Sequence, residues 1–356
     1  MVNNLKTSKS KKTTLEYLRF LLLPFAFIYL GITSTRNLLY KLGIFKIFVI
    51  PKKSICVGNL SVGGTGKTPH VSYLADFLSQ TVETTILSRG YGRKTTGFLW
   101  VKPNSKVSDV GDEPLFYANR FGEKVHIAVC EKRAKGVREI QETFPKNELI
   151  ILDDAFQHRA VKAGLNILIT DFNKPFSNDF LMPVGTLRES RSGKNRADII
   201  IVSKTPSDCT ETKKNQIAQS LNFDTEFVFF SHISYAPMIS FGTEIDTIKK
   251  IILVTGIANP KPLLEHISKQ YDVEEVRFGD HHAFSSADIL RIHQKFDTFA
   301  NEETIILTTE KDYMRLKDFS SDWKLQNYPW YFQPITVKID NEEKFKNLIN
   351  QYVNTI

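Results

Sequence analysis

The clearest chemistry in the sequence lies between Ser61 and Thr68, which read Ser-Val-Gly-Gly-Thr-Gly-Lys-Thr. Three glycines in six residues let successive backbone N–H groups turn inward and cradle phosphate oxygens. Ser61, Val62, Gly63, Gly64, Thr65 and Gly66 form that cradle. Lys67 supplies positive charge to the β- and γ-phosphates, and Thr68 supplies a hydroxyl to Mg²⁺. Pro69 suits the first turn of a helix, whose N-terminus favours the anion. The strict Walker A pattern asks for glycine at position 61, where this chain has Ser61.

A second piece of the same chemistry follows at Leu149–Asp154. Four apolar residues run into Asp153 and Asp154, as a Walker B strand does. Carboxylates there can hold Mg²⁺ directly or through water. A base-reading Asp is expected two residues after Lys204 in a GTPase, and Pro206 stands there instead. ATP is therefore favoured over GTP. Val62 stands where partitioning-type ATPases carry a second lysine, which argues against that class.

These residues need elements to position them. Ser54–Val57, Thr84–Leu87, Val125–Val129, Leu149–Leu152, Leu165–Ile169 and Ile199–Val202 are continuous apolar runs separated by helical patterns. Such runs indicate a parallel sheet covered on both faces. A second α/β set begins at Ile251–Thr255 and includes Glu274–Phe278 and Thr304–Thr308. Phe227–Ser231 and Met238–Phe241, either side of Pro237, are expected to form a connecting ribbon. The fold class expected is α/β: a P-loop NTPase-type parallel-sheet domain with an N-terminal membrane-associated helix and a second, smaller α/β domain. The expected divisions are 1–50, 51–232 and 233–356, the last closing the active-site cleft.

The 356 residues carry a formal charge of +8. Nearly all of it lies in residues 1–50, where Lys6, Lys9, Lys11, Lys12, Arg19, Arg36, Lys41 and Lys46 face Glu16 alone. The body is close to neutral, which argues against nucleic acid as a partner. Three cysteines, far apart and with no C-x-x-C pair, argue against a disulfide framework or a Cys-based zinc site. The apolar core Phe20–Ile32, broken by Pro24, is short for a membrane span. An interfacial helix fits better, with Lys and Arg for anionic headgroups.

Six motifs occur in one order. They are Val57-Gly58-Asn59-Leu60 ahead of the loop, Ser88-Arg89-Gly90-Tyr91-Gly92-Arg93, Gly111-Asp112-Glu113-Pro114, Asp153-Asp154-Ala155-Phe156-Gln157-His158, Gly185-Thr186-Leu187-Arg188-Glu189 and Gly279-Asp280-His281. Together they closely resemble the tetraacyldisaccharide 4'-kinase family, over nearly the whole chain. Ala155 stands where that family more often has glycine. The resemblance implies transfer of the ATP γ-phosphate to the 4'-hydroxyl of a lipid-linked glucosamine disaccharide 1-phosphate, with Mg²⁺, giving lipid IVA. It places the enzyme at the cytoplasmic face of the bacterial inner membrane, peripheral or monotopic, with no nucleic acid and no obligate protein partner.

The family parallel points to Asp112 and His281 as a dyad, in which Asp112 accepts the 4'-hydroxyl proton or orients His281 to do so. Glu113 is a candidate Mg²⁺ ligand or dyad neighbour. Tyr91 is a candidate contact to nucleotide or substrate. Arg133 and Arg188 are candidates for the 1-phosphate, because guanidinium forks match phosphate. His158 serves either the Walker B shell or the structure alone, and Glu189 completes the substrate set. Asp280-His281-His282 lacks the further spacing of a zinc site.

Overall fold

The computed structural model describes residues 19–280, 282–299, 303–319 and 325–355. Lys6, Lys9, Lys11, Lys12 and Glu16, and the candidate His281, lie outside the described residues.

The larger sheet has nine strands, in the order Ile335–Ile339, Val228–Tyr235, Ile199–Ser203, Leu165–Asp171, Lys53–Asn59, Leu149–Asp153, Thr84–Ser88, His126–Val129 and Leu99–Val101. The seven inner strands run parallel, and the strand at each edge is antiparallel to its neighbour. Side chains alternate between two cores. Ile55, Val57, Ile167, Ile169, Ile199 and Ile201 enter one, while Cys56, Leu168, Ile200 and Val202 enter the other. Burial on both faces explains why these strands are apolar throughout.

The second sheet has five strands: Ile239–Ser240, Trp330–Gln333, Thr304–Thr309, Lys250–Thr255 and Asp272–Arg277. The segments flanking Pro237 do not form one ribbon. Val228–Tyr235 belongs to the large sheet and Ile239–Ser240 to the small one, because Pro237 has no N–H with which to continue a ladder. The chain then returns. Ile335–Ile339 pairs antiparallel with the strand Val228–Tyr235. Phe345 and Ile349 of the last helix, Glu342–Asn354, are fully buried in the first domain's core. The second unit therefore interrupts the first, and a division at 233–356 assigns this returning strand and helix to the wrong side.

The N-terminal helix is longer than its apolar core suggests. A 3₁₀ turn at Arg19–Leu22 leads into an α-helix at Leu23–Lys41. Pro24 falls in the first turn, where its missing N–H costs no helical bond. The combined 23 residues have the length and composition to cross a bilayer. Two faces separate along it. Ala26, Tyr29, Thr33 and Asn37 face the body, and Tyr29 Oη donates to Arg188 O at 2.8 Å. Leu21, Phe25, Ile28 and Ile32 are each more than 60% exposed.

Candidate active site

The loop Ser61–Thr68 joins the central strand Lys53–Asn59 to the helix Lys67–Leu78. It is braced from below. Asn59 Nδ2 donates to Thr65 Oγ1 at 2.7 Å, and Ser203 Oγ donates to Thr65 O at 2.7 Å. Val62 N donates to Thr186 O at 2.8 Å, and Ser61 makes an isolated β-bridge with Leu187. Gly66 lies at φ +87°, where a side chain is strained, and caps the helix. His70 Nδ1 donates to Gly66 O at 2.7 Å while its Nε2 accepts from Ser231 Oγ at 2.8 Å. Burial lowers the His70 pKa to about 4, so the ring is neutral beneath the loop.

Five of the six motifs converge around this loop. A Cβ at Gly58 would collide with Phe156 Cβ, so the strand and the Asp153–His158 segment touch backbone to side chain. Gln157 Nε2 donates to Asn59 O and, at 3.3 Å, to Glu189 Oε1. A Cβ at Gly111 would stand 2.8 Å from Tyr91 O, so the Gly111–Pro114 and Ser88–Arg93 segments form one corner.

The acids and cations meet at the loop's open end. Lys67 Nζ lies 3.6 Å from Asp154 Oδ2, and Arg188 Nη2 lies 3.1 Å from Asp154 Oδ1. Asp154 has φ +47°, a left-handed conformation that aspartate and asparagine tolerate better than other side chains do. Thr68 Oγ1 donates to Glu113 Oε1 at 2.9 Å, and Lys311 Nζ donates to the same oxygen at 2.9 Å. Burial alone would raise the Glu113 pKa, but Lys311 and Thr68 hold it at about 2. Asp153 is pushed up to about 7 by burial, with Glu113 and Asp154 adding to the effect.

Asp153 Oδ1 is buried with no hydrogen-bond partner, which suits a carboxylate that meets a cation. Among the described residues no three His, Cys, Asp or Glu side chains cluster as a self-sufficient metal site. Thr68, Glu113, Asp153 and Asp154 are hard oxygen donors of the kind that hold Mg²⁺ together with nucleotide phosphates.

Three sequence candidates prove less exposed than a phosphate clamp on open surface. Arg133 is 2% exposed; its Nη1 donates to Cys130 O at 2.5 Å and its Nη2 to Asp153 O at 3.2 Å. Glu189 is fully buried, held by Arg196 at 2.7 Å and by Asn37 of the N-terminal helix at 3.3 Å. Arg188 is committed to Asn59, Asp154 and Ser61 O. His158 is kept below the usual histidine range by burial and by neighbouring Arg133, Arg89 and Arg36. Tyr91 is 75% exposed.

Sequence reasoning missed Lys204, Lys311 and Arg315. Lys204 donates to Gly64 O and, at 2.7 Å, to Asp171 Oδ2. Lys311 and Arg315 lie on the helix Glu310–Leu316 of the second unit. That helix lies along the helix Asp112–Phe121. Lys311 bonds Glu113, Arg315 Nη2 reaches Asp112 Oδ2 at 3.4 Å, Glu310 pairs with Arg120 at 3.5 Å, and Lys317, just beyond it, bonds Asn119 Oδ1 at 2.9 Å. The position after a strand, Thr309-Glu310-Lys311-Asp312, was the available signal.

A braced glycine-rich loop, a buried strand-end acid pair and an acid corner facing a second unit define a P-loop phosphotransferase. The sequence model described as tetraacyldisaccharide-1-P 4'-kinase, LpxK, matches residues 18–354. The tetraacyldisaccharide 4'-kinases of Flavobacterium psychrophilum and Bacteroides thetaiotaomicron are 42% and 40% identical to this chain. The alignments cover 95% and 93% of it, and 98% and 92% of those proteins. The crystal structure of LpxK from Aquifex aeolicus in complex with ATP superposes with a TM-score of 0.75 at 31% identity, covering 94% of this chain and 99% of that one. The chain belongs to the tetraacyldisaccharide-1-phosphate 4'-kinase family, and it is a kinase of lipid A biosynthesis.

Proposed function

We propose that this kinase moves the γ-phosphate of ATP to the 4'-hydroxyl of a tetraacyldisaccharide 1-phosphate at the surface of the inner membrane, from its cytoplasmic face. The observation that carries the reading is the joining of three things in one place. The loop Ser61–Thr68 bonds Glu113 through Thr68, Asp112 stands beside Glu113, and Arg188, which grips Asp154, is bonded through its carbonyl to the N-terminal helix. That helix presents Leu21, Phe25, Ile28 and Ile32 outward. Its ties to the body at Tyr29 and Asn37 lie along its middle and end. A helix pinned there lies along the interface with its apolar face in the acyl boundary.

The loop amides and Lys67 bind and orient the polyphosphate, with Lys204 and His70 holding the loop rigid beneath it. Thr68, Glu113, Asp153 and Asp154 would hold Mg²⁺, which supplies charge neutralisation to the phosphates. Asp112 takes the proton of the 4'-hydroxyl, alone or by orienting His281. Arg36, Arg89 and Arg133 concentrate positive charge around His158 beside the Walker B acids and draw in the 1-phosphate. Tyr91 offers an exposed ring to the acceptor sugar. Residues 51–235 with 335–354 act as the nucleotide unit, and the intervening segment closes the acceptor side.

The test is incubation with γ-labelled ATP, Mg²⁺ and tetraacyldisaccharide 1-phosphate in mixed micelles. Labelled lipid is expected, and Lys67→Ala should abolish it. Transfer that survives Lys67→Ala removes the P-loop reading.

A further inference from the structure

Arg315 is held as a fixed fork rather than as a mobile surface side chain. Its side chain is 8% exposed. Nη1 donates to Asp312 Oδ1 at 3.0 Å, to Gly256 O at 3.2 Å and to His282 O at 3.3 Å. Asp312 is itself fully buried and anchored, accepting from Gly256 N at 2.9 Å and Thr309 Oγ1 at 2.8 Å. Gly256 follows the strand Lys250–Thr255 and His282 follows the strand Asp272–Arg277, so one guanidinium pins two loops at the same end of the second sheet. The other nitrogen, Nη2, crosses to the first unit and meets Asp112 Oδ2 at 3.4 Å. Asp112 Oδ1 is turned the other way, accepting from Glu113 N at 3.0 Å.

We propose that Arg315 is the positioning residue of the transfer step: it aims the Asp112 carboxylate and fixes the His282 carbonyl, beyond the strand Asp272–Arg277, relative to it. The inference rests on Asp112 being the acceptor-side base. A planar fork does this where an ammonium does not. It can bond two partners in set directions, so the angle between Asp112 and the loop carbonyls is built into the side chain. Lys311, one turn earlier, reaches Glu113 by a single donor and lacks that directional control. Among the described residues Arg315 bonds none of the loop Ser61–Thr68, so its effect belongs to turnover and to the acceptor rather than to ATP binding.

The experiment is a double-mutant cycle of Arg315→Met and Asp112→Asn in the full-length enzyme, with Arg315→Lys as a second variant. Arg315→Met should lower kcat on the order of tenfold to 10²-fold, as misplacement of a catalytic group does. Its KM for ATP should stay within about twofold, since uniform binding is untouched. In the Asp112→Asn background the same change should cost almost nothing further, because the group being aimed is already lost. Arg315→Lys keeps the charge and loses the fork, and should still lower kcat. If Arg315→Met does not fold, the cycle is run with Arg315→Lys. Losses that multiply in the double variant, full turnover in Arg315→Lys, or an effect confined to the KM for ATP would each overturn the inference. If Asp112→Asn alone leaves turnover intact, the base reading fails first, and Arg315 falls with it.

Discussion

At the scale of single residues, the site separates groups that act from groups that hold. Asp112→Ala should lower turnover by roughly 10²-fold, as loss of a general base does. Equilibrium ATP binding should be largely kept, because the loop Ser61–Thr68 is braced by other residues; unchanged turnover would refute the role. Arg89→Ala should raise the KM for the lipid acceptor while leaving that for ATP unchanged, since Arg89 stands with Arg133 and Arg36 around His158. An effect on ATP alone would place this cationic group elsewhere in the reaction. His70 makes a pH prediction. Its folded pKa is lowered from 6.5 to about 4 by burial, so between those values the unfolded chain binds more protons than the folded one. The stability it contributes is fully present above pH 6.5 and lost as pH falls towards 4, about 3 kcal/mol in all. His70→Gln should flatten the fall of Tm between pH 7 and pH 5; an unaltered slope would mean that another group carries it. The residues that meet at the loop were legible because each motif is contiguous: Lys67 with Thr68, Asp153 with Asp154, Asp112 with Glu113. Arg315 and Lys204 were not. Arg315 is one of three cations between Lys311 and Lys317, Lys204 follows a strand, and what sets each apart is a partner, Asp112 or Gly64, over a hundred residues away.

At the scale of elements, the N-terminal helix carries an exposed apolar face on one side and ties to the body on the other. The sequence stopped the apolar core at Ile32, where Thr33, Ser34 and Thr35 begin. The helix continues to Lys41 because Thr33 Oγ1 bonds back to Tyr29 O within the helix at 2.9 Å, leaving no polar group that demands an end. Exposed apolar residues continue past it at Leu42, Ile44, Phe45 and Val49. The exposed apolar surface is therefore broader than the helix alone. Phe25→Glu with Ile28→Glu should weaken binding to anionic vesicles strongly, since each buried side chain of this kind contributes about 2 kcal/mol. Flotation with vesicles measures it. Both positions are solvent-facing, so the thermal midpoint should not fall; retained flotation would assign the anchor to other residues.

At the scale of the whole molecule, the parallel sheet and the existence of a second α/β unit were legible from runs of apolar residues. The return of the chain was not. Ile335–Ile339 and Glu342–Asn354 look like a continuation of the second unit because nothing in their composition names the sheet they join; only pairing with Val228–Tyr235 does. That topology makes a strong demand. Residues 1–235 alone would expose the strand Val228–Tyr235 as a bare edge and leave the places of Phe345 and Ile349 vacant in the core, which costs several kcal/mol for each large side chain. This fragment should aggregate. The two crossing points, however, are adjacent: Ala236 N donates to Pro334 O at 3.1 Å, and Tyr235 pairs with Ile335. Excising residues 237–333 and joining 236 to 334 through a short Gly-Asn turn should therefore close the strands Val228–Tyr235 and Ile335–Ile339 into a hairpin and give a soluble unit with a single thermal transition. It retains Lys67, Thr68, Asp153 and Asp154, so it should bind ATP. It lacks Lys311, Arg315 and the loop at residues 279–282, so it should transfer nothing to lipid. Isothermal titration with ATP and the labelled-lipid assay read the two properties separately. A fragment 1–235 that is as stable and binds as well would show that the returning strand is dispensable, and lipid phosphorylation by the excised chain would show that the second unit holds no part of the acceptor site.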